Sequence, residues 1–310
     1  MRRTLTLGLL IATGGLSMAV AAVQAPPPAG PSQAALQATK IEKVKDNLYI
    51  ITGSGVAVRD AFSGGNTAVF ITDNGVVVVD TKLAGWGQVI LDRIKSVTSK
   101  PITTIINTHT HGDHTGSNEF FGTSVETVAH ENTKANMARM DAFKGDKSKF
   151  LPKRTYKDRL SLLSGKDAID LFYFGKGHTD GDTFVLFRAL RVAHAGDMFA
   201  WKDLPFIDTM NGGSVVEHPK TLAKAYAALN KDIDTVITGH TPLMKPKDLQ
   251  EYADFNKDFA AWAEGQMKAG KSVDEAAAAY KTPAKYQGYE PPQAMRLKTN
   301  LEAVYAELKK

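Results

Sequence analysis

Cysteine is absent from the chain, and that one absence removes disulfides, thiolate metal ligands, a cysteine nucleophile and a lipid-modified cysteine anchor together. Any metal has to be held by histidine and carboxylate groups. Blocks of one charge sign are absent too. The 38 Lys and Arg against 33 Asp and Glu leave a formal charge of +5, spread along the chain as a solvated surface spreads it. So mild and diffuse an excess argues against a nucleic-acid partner. Also missing is an uninterrupted apolar run long enough to span a bilayer. The stretch from Leu5 to about Val20 is broken by Thr13, Gly14, Gly15 and Ser17 and is short for a spanning helix. It follows Arg2 and Arg3 and runs into Ala19, Ala21 and Ala22, which is the make-up of a secretory leader. Residues 1–25 are therefore expected to be a signal peptide cleaved between Ala21 and Ala25. The protein is expected to be exported, periplasmic or secreted, with no stable membrane insertion afterwards. Loss of Arg2 and Arg3 takes the formal charge to +3.

Residues 26–40 are rich in proline and alanine and are expected to be a disordered lead-in, with the fold starting near Ile41. From there on, 43% hydrophobic against 23% charged residues is enough for a large core, in one domain or two fused halves. Strands are expected at Leu48–Ile51, Thr67–Ile71 and Val76–Val79, the last two joined by an Asp73-Asn74-Gly75 hairpin turn. Residues 53–65 carry four glycines and read as a loop. Val89, Ile90, Ile94 and Val97 recur at helical spacing, so a helix is expected from about Trp86 to Val97, followed by a buried strand at Ile102–Ile106. The alternation continues with strands at 125–129, 168–174, 184–187, 192–195 and 235–238 and helices at 132–140 and 221–229. Such alternation packs as α/β layers with helices outside sheets. After residue 245 the pattern turns helical. Phe255, Phe259 and Trp262 share one face, Ser272 and Glu275 have capping-box spacing, and Leu297, Leu301, Val304, Tyr305 and Leu308 stripe a last helix. We read 41–245 as the catalytic domain and 246–310 as a helical extension packed on it, the aromatic stripe being core.

The chemistry is concentrated in Asn107-Thr108-His109-Thr110-His111-Gly112-Asp113-His114, directly after the strand that ends at Ile106. Alternation in extended chain lets His109 and His111 point one way, while Asp113 and His114 turn toward a second point. A helix cap would need only one Ser or Asp, and three of the chain's eight histidines are spent here. Three more metal-competent residues follow apolar segments and sit beside glycine: His178 in Gly177-His178-Thr179, Asp197 in Gly196-Asp197-Met198 and His240 in Gly239-His240-Thr241. Seven side chains suit two zinc-like ions with open positions.

The unbroken His-Xaa-His-Xaa-Asp-His pattern at 109–114, with these later residues, resembles the metallo-β-lactamase superfamily from about Leu48 to Pro242. The resemblance implies an αββα sandwich with two metals at one edge. It implies that His109, His111 and His178 hold the first, that Asp113, His114 and His240 hold the second, and that Asp197 bridges them. Asp80 is similar to the family's early aspartate that steadies the histidine loop. His130 and His194 read as structural.

Two divalent ions sharing a solvent oxygen would lower its pKa toward neutrality, giving a hydroxide nucleophile without Ser or Cys and making hydrolysis the default reaction. Asp113 would orient it or pass a proton. Zinc is the first expectation, with manganese or iron also suited to these donors. With no cysteine at position 197, the resemblance excludes the β-lactamases that use a cysteine ligand, and it leaves lactonase-, esterase- and phosphodiesterase-like relatives open. Export favours a small-molecule substrate: an ester, a lactone or an amide, with β-lactams the leading single candidate. A phosphodiesterase, or an iron oxidoreductase on the same scaffold, is the alternative. Trp201, Phe206, Lys202, Asn211 and His218 are the candidate substrate contacts, Lys202 for a substrate carboxylate.

Overall fold

The computed structural model describes residues 30–55, 58–240 and 242–309, so the expected signal peptide lies outside the described residues. The first element of the described residues is a short helix, α1 (Gln33–Ala38), within the stretch 26–40 expected to be a disordered lead-in. The correction has a local cause. Ser32 caps the helix by accepting from the Ala35 amide, and Ala35 is buried at 2% exposure in the cluster that also holds Trp86 and Ile90.

Next come β1 (Ile41–Lys45), β2 (Leu48–Ile51), β3 (Thr67–Thr72), β4 (Gly75–Val79), α2 (Gly87–Lys95), β5 (Ile102–Ile106), α3 (Gly112–Thr115), β6 (Glu126–His130), α4 (Glu131–Met137) and β7 (Arg154–Tyr156). These seven strands form one sheet in sequence order. β1 to β4 pair antiparallel, and β4 to β7 pair parallel. Parallel pairing needs a crossover, and α2 supplies the one between β4 and β5. The second sheet is built from β8 (Arg159–Leu162), β9 (Ile169–Phe172), β10 (Phe184–Phe187) and β11 (Val192–His194). Helix α5 (His218–Leu229) then crosses to β12 (Thr235–Ile237), and the sheet order is β12-β11-β10-β9-β8. Three helices close the chain: α6 (Pro246–Lys268), α7 (Val273–Ala279) and α8 (Ala294–Leu308).

Three apolar clusters mark the layers. One joins the inner faces of the two sheets through Phe70, Val77, Val79, Leu171, Val185 and Phe187. A second packs α1 and α2 on the outer face of the first sheet. The third packs α5, α6 and α8 on the outer face of the second sheet. The result is an αββα sandwich, and the C-terminal helices belong to its outer layer. Phe255 and Phe259 of the aromatic stripe are buried at 1% and 2% exposure, and Leu301 and Val304 of the last helix are fully buried. The Ser272 and Glu275 capping box forms at α7. Among the described residues no helix is long and apolar enough to cross a membrane.

Candidate metal centre

Strand β5 ends at Ile106, the chain bends through residues 108–110, and His111 takes the N-cap position of the four-residue α3. The segment is anchored from behind. Asp80, fully buried at the end of β4 and in left-handed backbone (φ 64°), accepts from the Thr108 amide at 2.8 Å and the Thr108 hydroxyl at 2.7 Å. Its Oδ2 also lies 2.7 Å from His114 Nδ1.

Four of the histidines follow one rule: an outer partner occupies one ring nitrogen and leaves the other facing inward. His114 has Asp80, His109 Nδ1 has the Thr108 hydroxyl at 2.9 Å, His178 Nδ1 has the Phe206 carbonyl at 2.5 Å, and His111 Nε2 has the Asp208 carboxylate at 2.8 Å. Partners of this kind set the tautomer and the ring plane of a ligating histidine. The inward atoms converge. His111 Nδ1 and His178 Nε2 are 2.9 Å apart, and His114 Nε2 and His240 Nε2 are 3.3 Å apart. Buried His109 Nε2 and Asp197 Oδ1 have no hydrogen-bond partner. Polar atoms orphaned at the meeting point of five imidazoles suit a cation, because buried polar groups are otherwise paired.

The side chains fall into two groups. His109, His111, His178 and Asp197 form one, and Asp113, His114 and His240 form the other, each with candidate ligand atoms within 4.8 Å of one another. Asp197 reaches both. Its Oδ2 is 3.8 Å from His178 Nε2 and 3.2 Å from His240 Nε2, and its Oδ1 is 3.3 Å from His114 Nε2. Asp113 Oδ2 is 3.4 Å from His240 Nε2. Glycine makes the close approach possible: a Cβ on Gly239 would fall 1.9 Å from Asp197 Oδ1, and one on Gly65 would fall 2.1 Å from the His114 ring.

The electrostatics prepare the site for a cation. Burial holds His178 down at about 3, helped by the nearby His111, so it is neutral and free to ligate at pH 7. Burial also takes His109 well below the usual imidazole range. For His114, burial opposes protonation but the Asp197, Asp113 and Asp80 carboxylates outweigh it and raise the pKa well above the usual value. Burial would likewise raise Asp197, yet His240 and His114 hold it well below the usual carboxylate range. A metal replaces the proton that this negative pocket otherwise attracts.

The family model of the metallo-β-lactamase superfamily matches residues 61–240, more than half of the chain and all seven of these side chains. The chain belongs to that superfamily. Among curated relatives it is 26% identical to a type 2 metallo-β-lactamase of Elizabethkingia meningoseptica, over 71% of this chain and 86% of that one. It is also 26% identical to the α subunit of the 2,4-dinitroanisole O-demethylase of a Nocardioides species, over 75% and 67% of the two chains. Among solved structures, a metallo-β-lactamase from Pontibacter korlensis superposes with a TM-score of 0.60 at 19% identity, covering 71% of this chain and 99% of that one. The DIM-1 metallo-β-lactamase superposes at 0.56, with 21% identity and 70% and 97% coverage.

The superfamily core does not fix the substrate-facing residues, and there three expectations need correction. Lys202 is not free for a substrate carboxylate: its ammonium donates to Asp248 at 2.9 Å and Glu251 at 3.0 Å on α6. His218 is buried at 1% exposure, donates through Nε2 to the Met198 carbonyl, and is pushed down to about 3 by burial, so it presents nothing to a ligand. The Asn211 side chain is spent inside the protein, donating to Asp208 at 2.6 Å and accepting from Arg139 at 3.0 Å. The aromatic candidates do stand at the site. Trp201 lies 5.5 Å from the His240 ring, and half-exposed Phe206 lies 5.8 Å from His111 and 6.0 Å from His178. Phe62, from the glycine-rich loop, sits 5.7 Å from His240. His130 and His194 are structural. His130 stacks on Tyr173 and bonds the Lys157 carbonyl, and His194 bonds the Asn66 carbonyl.

Two residues were not found by sequence reasoning. Lys82 is fully buried in left-handed backbone, donates to the Gly65 carbonyl at 2.8 Å, and is brought down to about 7 by burial. Asp208 lies 97 positions from the histidine that it orients. Its sequence signal is only that of a turn residue, since its other oxygen accepts from the Met210 and Asn211 amides. Asp208→Ala is expected to weaken metal binding by about 10- to 100-fold, as loss of such partners generally does, with little change in folding because Asp208 is a loop residue. Competition with a chromogenic chelator measures this, and wild-type affinity in the variant would mean that His111 needs no such support.

Proposed function

We propose that the protein is a dinuclear metal-dependent hydrolase acting on a small ester, lactone or amide, with a β-lactam the leading single candidate. The observation that carries the reading is the reach of Asp197, a buried carboxylate whose Oδ2 lies 3.8 Å from His178 Nε2 of the first group and 3.2 Å from His240 Nε2 of the second. His109, His111 and His178 would hold one ion, Asp113, His114 and His240 the other, and Asp197 both. Zinc is the first choice for this set of nitrogen and oxygen donors, ahead of manganese and iron. When bound, such ions supply a hydroxide nucleophile at neutral pH and an electrophile for the scissile carbonyl.

The remaining work belongs to the protein's own groups. Outer partners on four histidines fix the ring planes and aim the inward nitrogens at the centre. Asp113, whose side chain is 23% exposed where Asp197 is 9% exposed, is the carboxylate that solvent and substrate can reach. It would orient the attacking water and hold its proton at Oδ2. Trp201, Phe206 and Phe62 wall the approach with apolar surface and exclude bulk water, which strengthens every charge interaction inside. We also place the protein outside the cytoplasm, on the strength of the leader-like N-terminal sequence and the cysteine-free chain.

The test compares metal-loaded and chelated protein on a chromogenic cephalosporin, p-nitrophenyl esters and simple lactones. 2,4-Dinitroanisole is added because of the match to the O-demethylase subunit. A chelator-sensitive kcat/KM above about 10⁴ M⁻¹s⁻¹, the lower range for ordinary enzymes, identifies the class. Turnover that survives complete metal removal would overturn the reading.

A further inference from the structure

The loop from Ala200 to Val216 carries Trp201, Phe206 and Asp208 to the metal centre, and α8 holds it along its length. Arg296 donates to buried Asp203 at 2.7 Å and lies 4.8 Å over the Trp201 ring. Asn300 donates to the Pro205 carbonyl at 2.9 Å. Glu307 accepts from the Val215 amide at 3.0 Å and from the Ser214 hydroxyl. Yet the loop and the helix do not close on each other. Between them lies a cavity of about 730 Å³, walled by Phe206, Ile207 and Met210 of the loop and by Thr299, Ala303 and Ala306 of α8.

Several features mark this cavity as part of the reaction site. It shares Phe206 and Asp208 with the metal centre, so a molecule seated there lies across one aromatic ring from His111 and His178. Phe206 is 51% and Met210 90% exposed, and large apolar side chains left open beside a concave wall are characteristic of ligand surfaces. The apolar part of the α8 wall is made of small residues, Ala303 and Ala306, which leave room rather than filling it. The charged lining is lopsided: Asp208, Glu217, Glu302 and Glu307 against Lys176. Helix α8 also lies beyond the residues that the family model matches.

Resting on the hydrolase reading above, we propose that the cavity between residues 206–214 and α8 receives the non-reacting arm of the substrate, and that this arm is apolar and not anionic. Phe206 is the threshold between the scissile group at the metals and the arm. Ala306 is exposed, so Ala306→Trp fills the cavity without disturbing the buried face of α8.

The experiment compares p-nitrophenyl octanoate with p-nitrophenyl acetate in metal-loaded wild-type protein and in Ala306→Trp. It also titrates both proteins with N-phenylnaphthylamine, an uncharged apolar fluorophore. The octanoate-to-acetate ratio of kcat/KM is expected to fall by at least about tenfold in the variant, in line with the discrimination that apolar pockets achieve. Fluorophore affinity is expected to fall by a similar factor. An unchanged ratio, or a fluorophore affinity equal in the two proteins, overturns the proposal. If neither ester is turned over, it is the hydrolase reading on esters that fails, and the fluorophore titration still decides the cavity.

Discussion

Asp197→Ala is expected to abolish stoichiometric metal binding at both positions and to lower kcat/KM by about 10⁴-fold or more, equivalent to about 5.5 kcal/mol of transition-state stabilisation. The expectation follows from position and charge together. The other ligands each belong to one group, whereas Asp197 lies 3.8 Å from His178 Nε2 of the first and 3.3 Å and 3.2 Å from His114 Nε2 and His240 Nε2 of the second. Removing it leaves two sets of three candidate ligands with nothing shared, and Asp113 as the one carboxylate among those six. Asp197 is also the first charge among those that raise His114. In the metal-free protein the sign runs as for any imidazole with a carboxylate partner. The stabilisation is complete below the unfolded imidazole pKa and is lost as pH rises through the higher folded value. The buried histidines with lowered pKa run the other way, so the metal-free variant, deprived of the His114 contribution, should lose stability more steeply than the wild type on acidification toward pH 6. Elemental analysis, and thermal unfolding across pH in chelator, read the two effects separately. A folded variant that keeps two metals per chain and full activity would remove Asp197 from the centre of the mechanism.

How much of this was open to the sequence depends on how local each feature is. Four of the seven candidate ligands occupy 109–114 after an apolar strand, so one short segment, a bend running into α3, delivers them together. Asp197 and His240 announce themselves by glycine neighbours, and the structure supplies the reason: Asp197 packs against Gly239, where no side chain fits. Strands that are apolar throughout, such as β4 and β10, are equally visible, since both of their faces are covered. Edge strands are not. β1 reads Ile-Glu-Lys-Val-Lys with no buried position, and β7 has only Tyr156 buried, so neither carries a periodicity strong enough to separate it from loop. Lys202 and Asn211 failed as substrate contacts because their partners lie on α6 and on Asp208 and Arg139, pairings that only the folded chain creates. Asp208 was missed for the same reason in reverse. Nothing around it distinguishes a turn-forming aspartate from one that also orients a histidine 97 positions away.

Asp80 gives the sharpest test of how the histidine loop is held. Its Oδ1 accepts from the Thr108 amide, and its Oδ2 serves the Thr108 hydroxyl and His114 Nδ1 at 2.7 Å each. The residue is wholly buried, in a left-handed conformation that a non-glycine residue adopts at a cost. Asp80→Ala should therefore destabilise the fold by about 3–5 kcal/mol, the usual penalty for stripping one partner from a buried charge pair. Asp80→Asn separates function from folding. An amide has one accepting oxygen, and if that oxygen stays on the Thr108 amide, the NH₂ group faces His114 Nδ1. The ring must then accept at Nδ1 and carry its proton on Nε2, the nitrogen that faces Asp197 and His240. Flipping the amide restores His114 but sets NH₂ against the Thr108 N–H. Either orientation spoils one of the two supports. Asp80→Asn is thus expected to fold with about wild-type cooperativity while losing about 10- to 100-fold in affinity for the metal shared by Asp113, His114 and His240, with the other metal retained more tightly. Stepwise chelator titration resolves the two affinities. Equal loss of both metals would show that Asp80 acts through Thr108 and the whole loop, and wild-type affinities would show that His114 sets its own tautomer.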